Sequence, residues 1–413
     1  MAVLKLTLEI EHSKLVEKAV DPLWQILEKN ISDKGLAASV DNYPQVWTRD
    51  TVICFLGGCV DGAPDILEVF KLSLETLGSS IDQYGQIPFS VSIATGDAAF
   101  GSKDSNPWWV IGALYYYEIT DDLEWINENI NTIIRALDWC HSQDTRHSGL
   151  MESGECDDWA DLLYNRGQVL FPNILYAHAL KGSCCVLKDI NPEEAAKLET
   201  RYFDVREAIQ NTFWVMPLDD FEDKTHTRTR LSMSLSLRKT NYFLPWINHF
   251  EFGERFDTAG NLLAILCDVA SPEQSDAILD FIDAVGINAP YPVKVLYPPI
   301  QPGEEDWRDY YKDWLNNLPH QYHNGGIWPW VGGLYVAALV KAKRMDQARS
   351  QLNALAECLN QGTQIWECNE WMHGATGKPM GAKYQAWSAG MFFYAKYAVE
   401  TGDTPGFRNR NMG

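Results

Sequence analysis

The chain has 413 residues, 46% of them hydrophobic and 12% aromatic, and a formal net charge of −22. So acidic a chain repels nucleic-acid phosphates and anionic lipid, whose binding depends on clustered Lys and Arg, and a neutral partner fits it better. The length suffices for two average domains, but closed barrels often run this long as one unit, and the apolar share can fill a large core.

From the N-terminus, the opening MAVLKLTLEIEHSKL lacks a basic start and a cleavable apolar segment, and no apolar run reaches ~18 residues, so no membrane span is expected. In the segment EHSKLVEKAVDPLWQILEKN, Leu15, Val16, Ala19, Val20, Leu23, Ile26 and Leu27 recur at three- and four-residue intervals and predict a helix, with Pro22 as a kink or break. The same spacing predicts helices near 50–59, 64–78, 106–119, 123–141, 169–187, 193–214, 257–269, 273–285, 328–342, 346–360 and 384–400. Short turns join many neighbours, whereas the links at 79–105, 142–168, 215–256, 286–327 and 361–383 are long, and loops of such length are usually functional. These links hold most of the Trp-, His- and acid-rich clusters. The pattern predicts an all-α fold, an (α/α)6 toroid in one domain over 1–413, with inner and outer helices alternating and the long loops gathered around one cavity. Alternation around Leu231 to Leu237 adds a small inserted β-hairpin. Nine cysteines scattered without CxxC pairs read as reduced thiols in a cytoplasmic protein.

Cleaving a glycosidic bond requires a protonated carboxyl on the leaving-group side and an ionised one opposite it. Two clusters could supply them. ESGECDDWADLL crowds Glu152, Glu155, Asp157, Asp158 and Asp161 around Trp159, whose indole can exclude water and raise a carboxyl pKa. Asp161 ranks ahead of Asp158 and Asp157; a cap or loop-ordering contact is the alternative role for any one of them. WECNEWMHGATGKPMG sets Glu367 and Glu370 between Trp366 and Trp371, and spacing alone does not choose between the two. YPQVWTRDT offers Trp47 to stack on a sugar and Arg49 with Asp50 to clamp its hydroxyls, or else a helix start with Asp50 paired to Arg49. HQYHNGGIWPW gathers His320, Tyr322, His323, Asn324, Trp328 and Trp330 as aromatic and amide sugar contacts. No HExxH, P-loop, GxGxxG or GxSxG signature accompanies them, so neither a metal nor a cofactor is expected.

The ordered series WTRDT, DDWADLLYNRGQVLFPNILYAHAL, YHNGGIWPW and EWMHGATGKPMGAKYQAWSAG resembles the (α/α)6 glycoside hydrolases that include glycoside hydrolase family 63 and the amylo-α-1,6-glucosidase domain of glycogen debranching enzymes. The resemblance implies an inverting α-glucosidase acting on a small neutral oligosaccharide or α-glucan. It makes Asp161 the general acid and Glu370 the general base. Trp47, Arg49 and Asp50 would hold the sugar, and Asn173, Tyr322, His323, Asn324, Gln385 and Trp387 would line the pocket. Asp158, Trp159, Trp328 and Glu367, from the same clusters, complete the expected substrate contacts. The chain departs from debranching enzymes in having WADL for Trp-Met-Asp-Ala and in lacking their transferase half. Neutral and alkaline invertases share the toroid, but their acid motif ends Met-Ile-Asp-Arg-Arg, and Arg-Arg is absent here; sucrose is the less favoured substrate on that ground. Two further classes compete: a sugar 2-epimerase or isomerase working through His323 and His373, and a carbohydrate-binding scaffold without turnover.

Overall fold

A computed structural model describes residues 2–215, 236–237, 240–315 and 317–408. Among them twelve α-helices follow one another: α1 (Ala2–Lys29), α2 (Thr48–Gly58), α3 (Pro64–Gly78), α4 (Ser105–Thr120), α5 (Leu123–Ser142), α6 (Leu170–Leu187), α7 (Pro192–Phe213), α8 (Thr258–Leu266), α9 (Pro272–Val285), α10 (Pro329–Lys341), α11 (Met345–Leu359) and α12 (Ala386–Thr401). The first runs continuously through Pro22, so of the kink or break expected there the break does not occur. The hairpin expected around Leu231 to Leu237 lies almost wholly outside the described residues.

The even-numbered helices are buried over most of their length and surface. All of α2 is buried, as is α10 from Pro329 to Val340. Odd-numbered helices bury one stripe only, such as Ile66, Phe70, Leu74 and Leu77 on α3. A helix apolar all round belongs inside and an amphipathic one outside, and the packing follows: α2, α4, α6, α8, α10 and α12 touch in that order and α12 returns to α2, closing an inner ring. The seam between first and last inner helices depends on glycine. A Cβ on Gly57 would stand 1.8 Å from the Gly390 carbonyl oxygen, and one on Gly390 2.2 Å from that of Cys54. The fold is an (α/α)6 toroid.

Every long connection precedes an inner helix, so all of them collect at the N-terminal end of the ring. A sixth, residues 30–47, joins the five expected from the sequence. The loops are stitched side by side: Gln45–Trp47 pairs with Ser90–Ser92, Gly167–Val169 with Trp246–Ile247, and Phe256–Asp257 with Leu296–Tyr297. Ile327 bridges Lys294 and Met372, and the Ala386 N–H donates to the Ala38 carbonyl, completing the circle. Buried asparagines at inner-helix starts fix the preceding loops. Asn173 accepts from the Met151 N–H (2.8 Å) and donates to the Met151 carbonyl (3.0 Å), and Asn261 does the same to Phe243 at 2.9 and 3.0 Å. Among the described residues no helix is long and apolar enough to cross a membrane.

Candidate active site

At the loop end of the ring a cavity is lined by Ala38, Tyr43, Trp47, Arg49, Asp50, Trp159, Asp161, Tyr322, Trp328, Glu370, Gln385 and Trp387. Several lining residues stand where inner helices begin: Trp47, Trp328 and Gln385 are the residues preceding the first turns of α2, α10 and α12. The positive ends of inner-helix dipoles therefore converge on it.

One wall is aromatic. Trp159 meets Trp328 and Trp330 edge to face at 5.6 and 5.1 Å, and Trp330 stacks on Trp387 at 5.2 Å. Such edge and offset contacts are the favoured arrangements of aromatic rings and make a stiff apolar face.

The five acids around Trp159 separate in the fold. Glu152 pairs with Arg146, Glu155 accepts from the Tyr310 hydroxyl at 2.7 Å, and Asp157 caps the Gly154 N–H at 2.7 Å. Asp158 is buried, accepts from the Ala160 N–H at 2.8 Å and so shapes the turn carrying Asp161; burial and then the Asp104 charge push its pKa up to about 7. Only Asp161 reaches the cavity, with its side chain 54% exposed into the open space. The surrounding protein raises its pKa, Arg49 works against that, and Asp104 adds to it. The acid neighbour is therefore Asp104 from another loop, not the acids beside Asp161 in sequence.

The other loop resolves Glu367 from Glu370. Glu367 faces away from the cavity and is saturated: it accepts from the Thr363 hydroxyl, from the Gln364 N–H at 2.8 Å and from Lys383 Nζ at 2.8 Å. Burial works to raise its pKa, but Lys383 and Thr363 outweigh it and hold it at about 2. Glu370 lines the cavity, with Oε2 accepting from the Ala382 N–H at 2.9 Å and Oε1 from the Tyr43 hydroxyl at 3.3 Å. Burial raises it to about 7, the two donors pull it down, and Asp50 and Asp161 push it up. Gly381, at φ +72°, allows this approach, since a Cβ there would lie 2.5 Å from Glu370 Oε2.

Arg49 does not pair with Asp50, as the WTRDT motif suggested. Its Nη1 bonds Asp104 Oδ2 at 2.7 Å, with both side chains nearly or fully buried. Asp50 faces the cavity, and burial lifts it to about 6 against the pull of Arg49. Losing one member of a buried ion pair typically costs about 3–5 kcal/mol, because the other charge is left without compensation. Asp104→Ala should therefore lower unfolding stability by roughly that amount in urea titration; a change below about 1 kcal/mol would mean the pair does not hold the site.

Further residues singled out from the sequence lie off the cavity. Asn173 and Asn324 are consumed by backbone groups, Asn324 accepting from the Ile300 N–H at 2.6 Å and donating to the Ile300 carbonyl at 2.9 Å. His373 accepts the Ala375 N–H and stands beside His320. These three share one reason: polar residues in long loops are first used to satisfy backbone groups. His323 is instead held by ring packing, buried behind the wall and stacked on Trp328, with Nδ1 3.8 Å from Asp161 Oδ1. Burial and then Arg49 keep its pKa well below the usual value, so this approach is between a neutral ring and a carboxyl and is no ion pair. Tyr43, which opens the YPQVWTRDT stretch, is a lining residue that sequence reasoning missed.

The family model for alkaline and neutral invertase matches residues 227–401, which include the Glu370 loop but not the Asp161 loop. Cytosolic invertase 1 of Oryza sativa subsp. japonica is 27% identical, over 94% of this chain and 79% of its own. Probable alkaline/neutral invertase D of Arabidopsis thaliana is also 27% identical, over 87% and 76%. Among solved structures, the GH63 mannosylglycerate hydrolase from Thermus thermophilus in complex with Tris and D-glycerate superposes with a TM-score of 0.69 at 13% identity, covering 91% of this chain and 99% of that one. A bacterial glucoamylase complexed with acarbose gives 0.63 at 13% identity, covering 95% and 56%. These structures share the fold.

Proposed function

We propose that the chain is a glycoside hydrolase that cleaves an α-glucosidic bond with inversion, Asp161 protonating the leaving oxygen and Glu370 activating water. One observation carries this: the loop before α6 and the loop before α12, on opposite sides of the inner ring, each deliver a single carboxyl into one cavity. Opposed carboxyls across one cavity are what displacement by water requires. Asp50 and Tyr322, with the indoles, would hold the ring, and Arg49 and Gln385, which also line the cavity, are suited to sugar hydroxyls.

Sucrose is the first substrate to test, since it is itself an α-glucoside and the named relatives are invertases. Malto- and isomalto-disaccharides come next. The histidines that an epimerase would need do not line the cavity. The acidic charge suits a cytoplasmic enzyme on a neutral sugar. The expected result is release of β-glucose from the α-linked substrate in the first minutes, followed by proton NMR. Initial α-glucose would rule out inversion, and binding of the whole panel without release would leave a scaffold.

A further inference from the structure

Tyr43 sits in the loop before α2, where a tight turn closes on its own N–H, which donates to the Ser39 carbonyl at 2.6 Å. Its ring meets Trp47 edge to face at 6.5 Å, and its hydroxyl points across the cavity to Glu370 Oε1 at 3.3 Å. The other oxygen of Glu370 is held by a backbone N–H from its own loop. Tyr43 is thus the side-chain donor on Glu370, and it arrives from the neighbouring loop of the ring. We propose that Tyr43 is a positioning residue for the base, fixing the Glu370 carboxylate across the seam between the first and last loops; this rests on Glu370 being the base.

A carboxylate held at one oxygen only can rotate about its last bond, whereas a donor on each oxygen fixes its plane and favours the ionised form. The titratable groups facing Glu370 are Tyr43 from the loop before α2, Asp50 from α2, Asp161 from the loop before α6 and Tyr322 from the loop before α10. Asp50 and Asp161 oppose ionisation of Glu370, and Tyr43 supports it. Tyr43 itself is pushed up by burial and by Glu370, so it remains a donor and does not serve as a base.

Tyr43→Phe removes the hydroxyl and keeps the ring on Trp47, so the fold should survive. With α-glucosyl fluoride as probe, kcat should fall by about tenfold to a hundredfold, the range for one hydrogen bond to a charged group, with KM within about threefold. The acid limb of kcat/KM should move to higher pH, because losing a donor raises the Glu370 pKa; a merely structural role would not shift it. In a Glu370→Gln background the Tyr43→Phe change should cost nothing further. An inactive Glu370→Gln alongside a Tyr43→Phe of unchanged kcat and pH profile would overturn the Tyr43 role alone. A Glu370→Gln of normal activity would overturn the base assignment and this role with it.

Discussion

Replacing Glu370 with alanine is expected to lower hydrolysis by a factor on the order of 10² or more, with KM little changed, because a general base acts in the transition state and contributes little to ground-state binding. Its environment is that of a group that must lose and regain a proton near neutrality: buried, pushed up to about 7, and restrained by only two donors. A small anion such as azide should restore turnover in the alanine variant, since the cavity left by the side chain can admit a substitute nucleophile opposite Asp161. Glu367→Ala is a contrasting control. It strips Lys383, Thr363 and the Gln364 N–H of their shared acceptor and should reduce thermal stability first. If steady-state kinetics instead find Glu370→Ala active and a folded Glu367→Ala dead, the base assignment is wrong.

For Asp161→Asn the loss should depend on the leaving group. A sugar alkoxide leaves only when protonated, so disaccharide hydrolysis should drop by roughly 10²–10⁴, while a fluoride, which needs little acid help, should be largely spared. The alkaline limb of the wild-type profile should also disappear. In the wild type, activity falls with rising pH as Asp161 ionises, and falls with decreasing pH, near 7, as Glu370 gains a proton. Asp50, Asp161 and Glu370 share one cavity, so the two limbs belong to the coupled set. Asp161 is the member most open to water when the cavity is empty, and substrate that expels this water raises its pKa further. A variant that loses fluoride and disaccharide turnover equally would remove Asp161 from the acid role.

Helix positions were legible in the sequence because the signal is local. The stripe Ile66, Phe70, Leu74, Leu77 recurs every three or four residues whatever lies beyond α3, and the all-round apolar run of α10 needs no partner to be recognised as interior. The uneven loop lengths then told at which end of the ring the long loops gather, and the Asp161 and Glu370 motifs were readable as stretches. Pro22 allowed a kink or a break, and the helix that continues through it excludes the break.

What the linear order could not contain was the direction of each side chain. Five acids beside Trp159 look equivalent in a row, and the turn built on Asp158 sends one of them into the cavity and the rest to Arg146, Tyr310 and Gly154. Arg49 found Asp104 in place of its neighbour Asp50, and Asn173, Asn324 and His323 were drawn behind the wall, because a buried charge or polar group takes whichever partner the packing brings within reach. Tyr43 meets Glu370 for the same reason: the ring closes where the glycines of α2 and α12 touch, and only that closure sets the first loop beside the last. Periodicity along the chain determined the helices and the toroid, whereas the partner of each polar group was decided by contacts between loops remote in sequence, which tertiary closure alone creates.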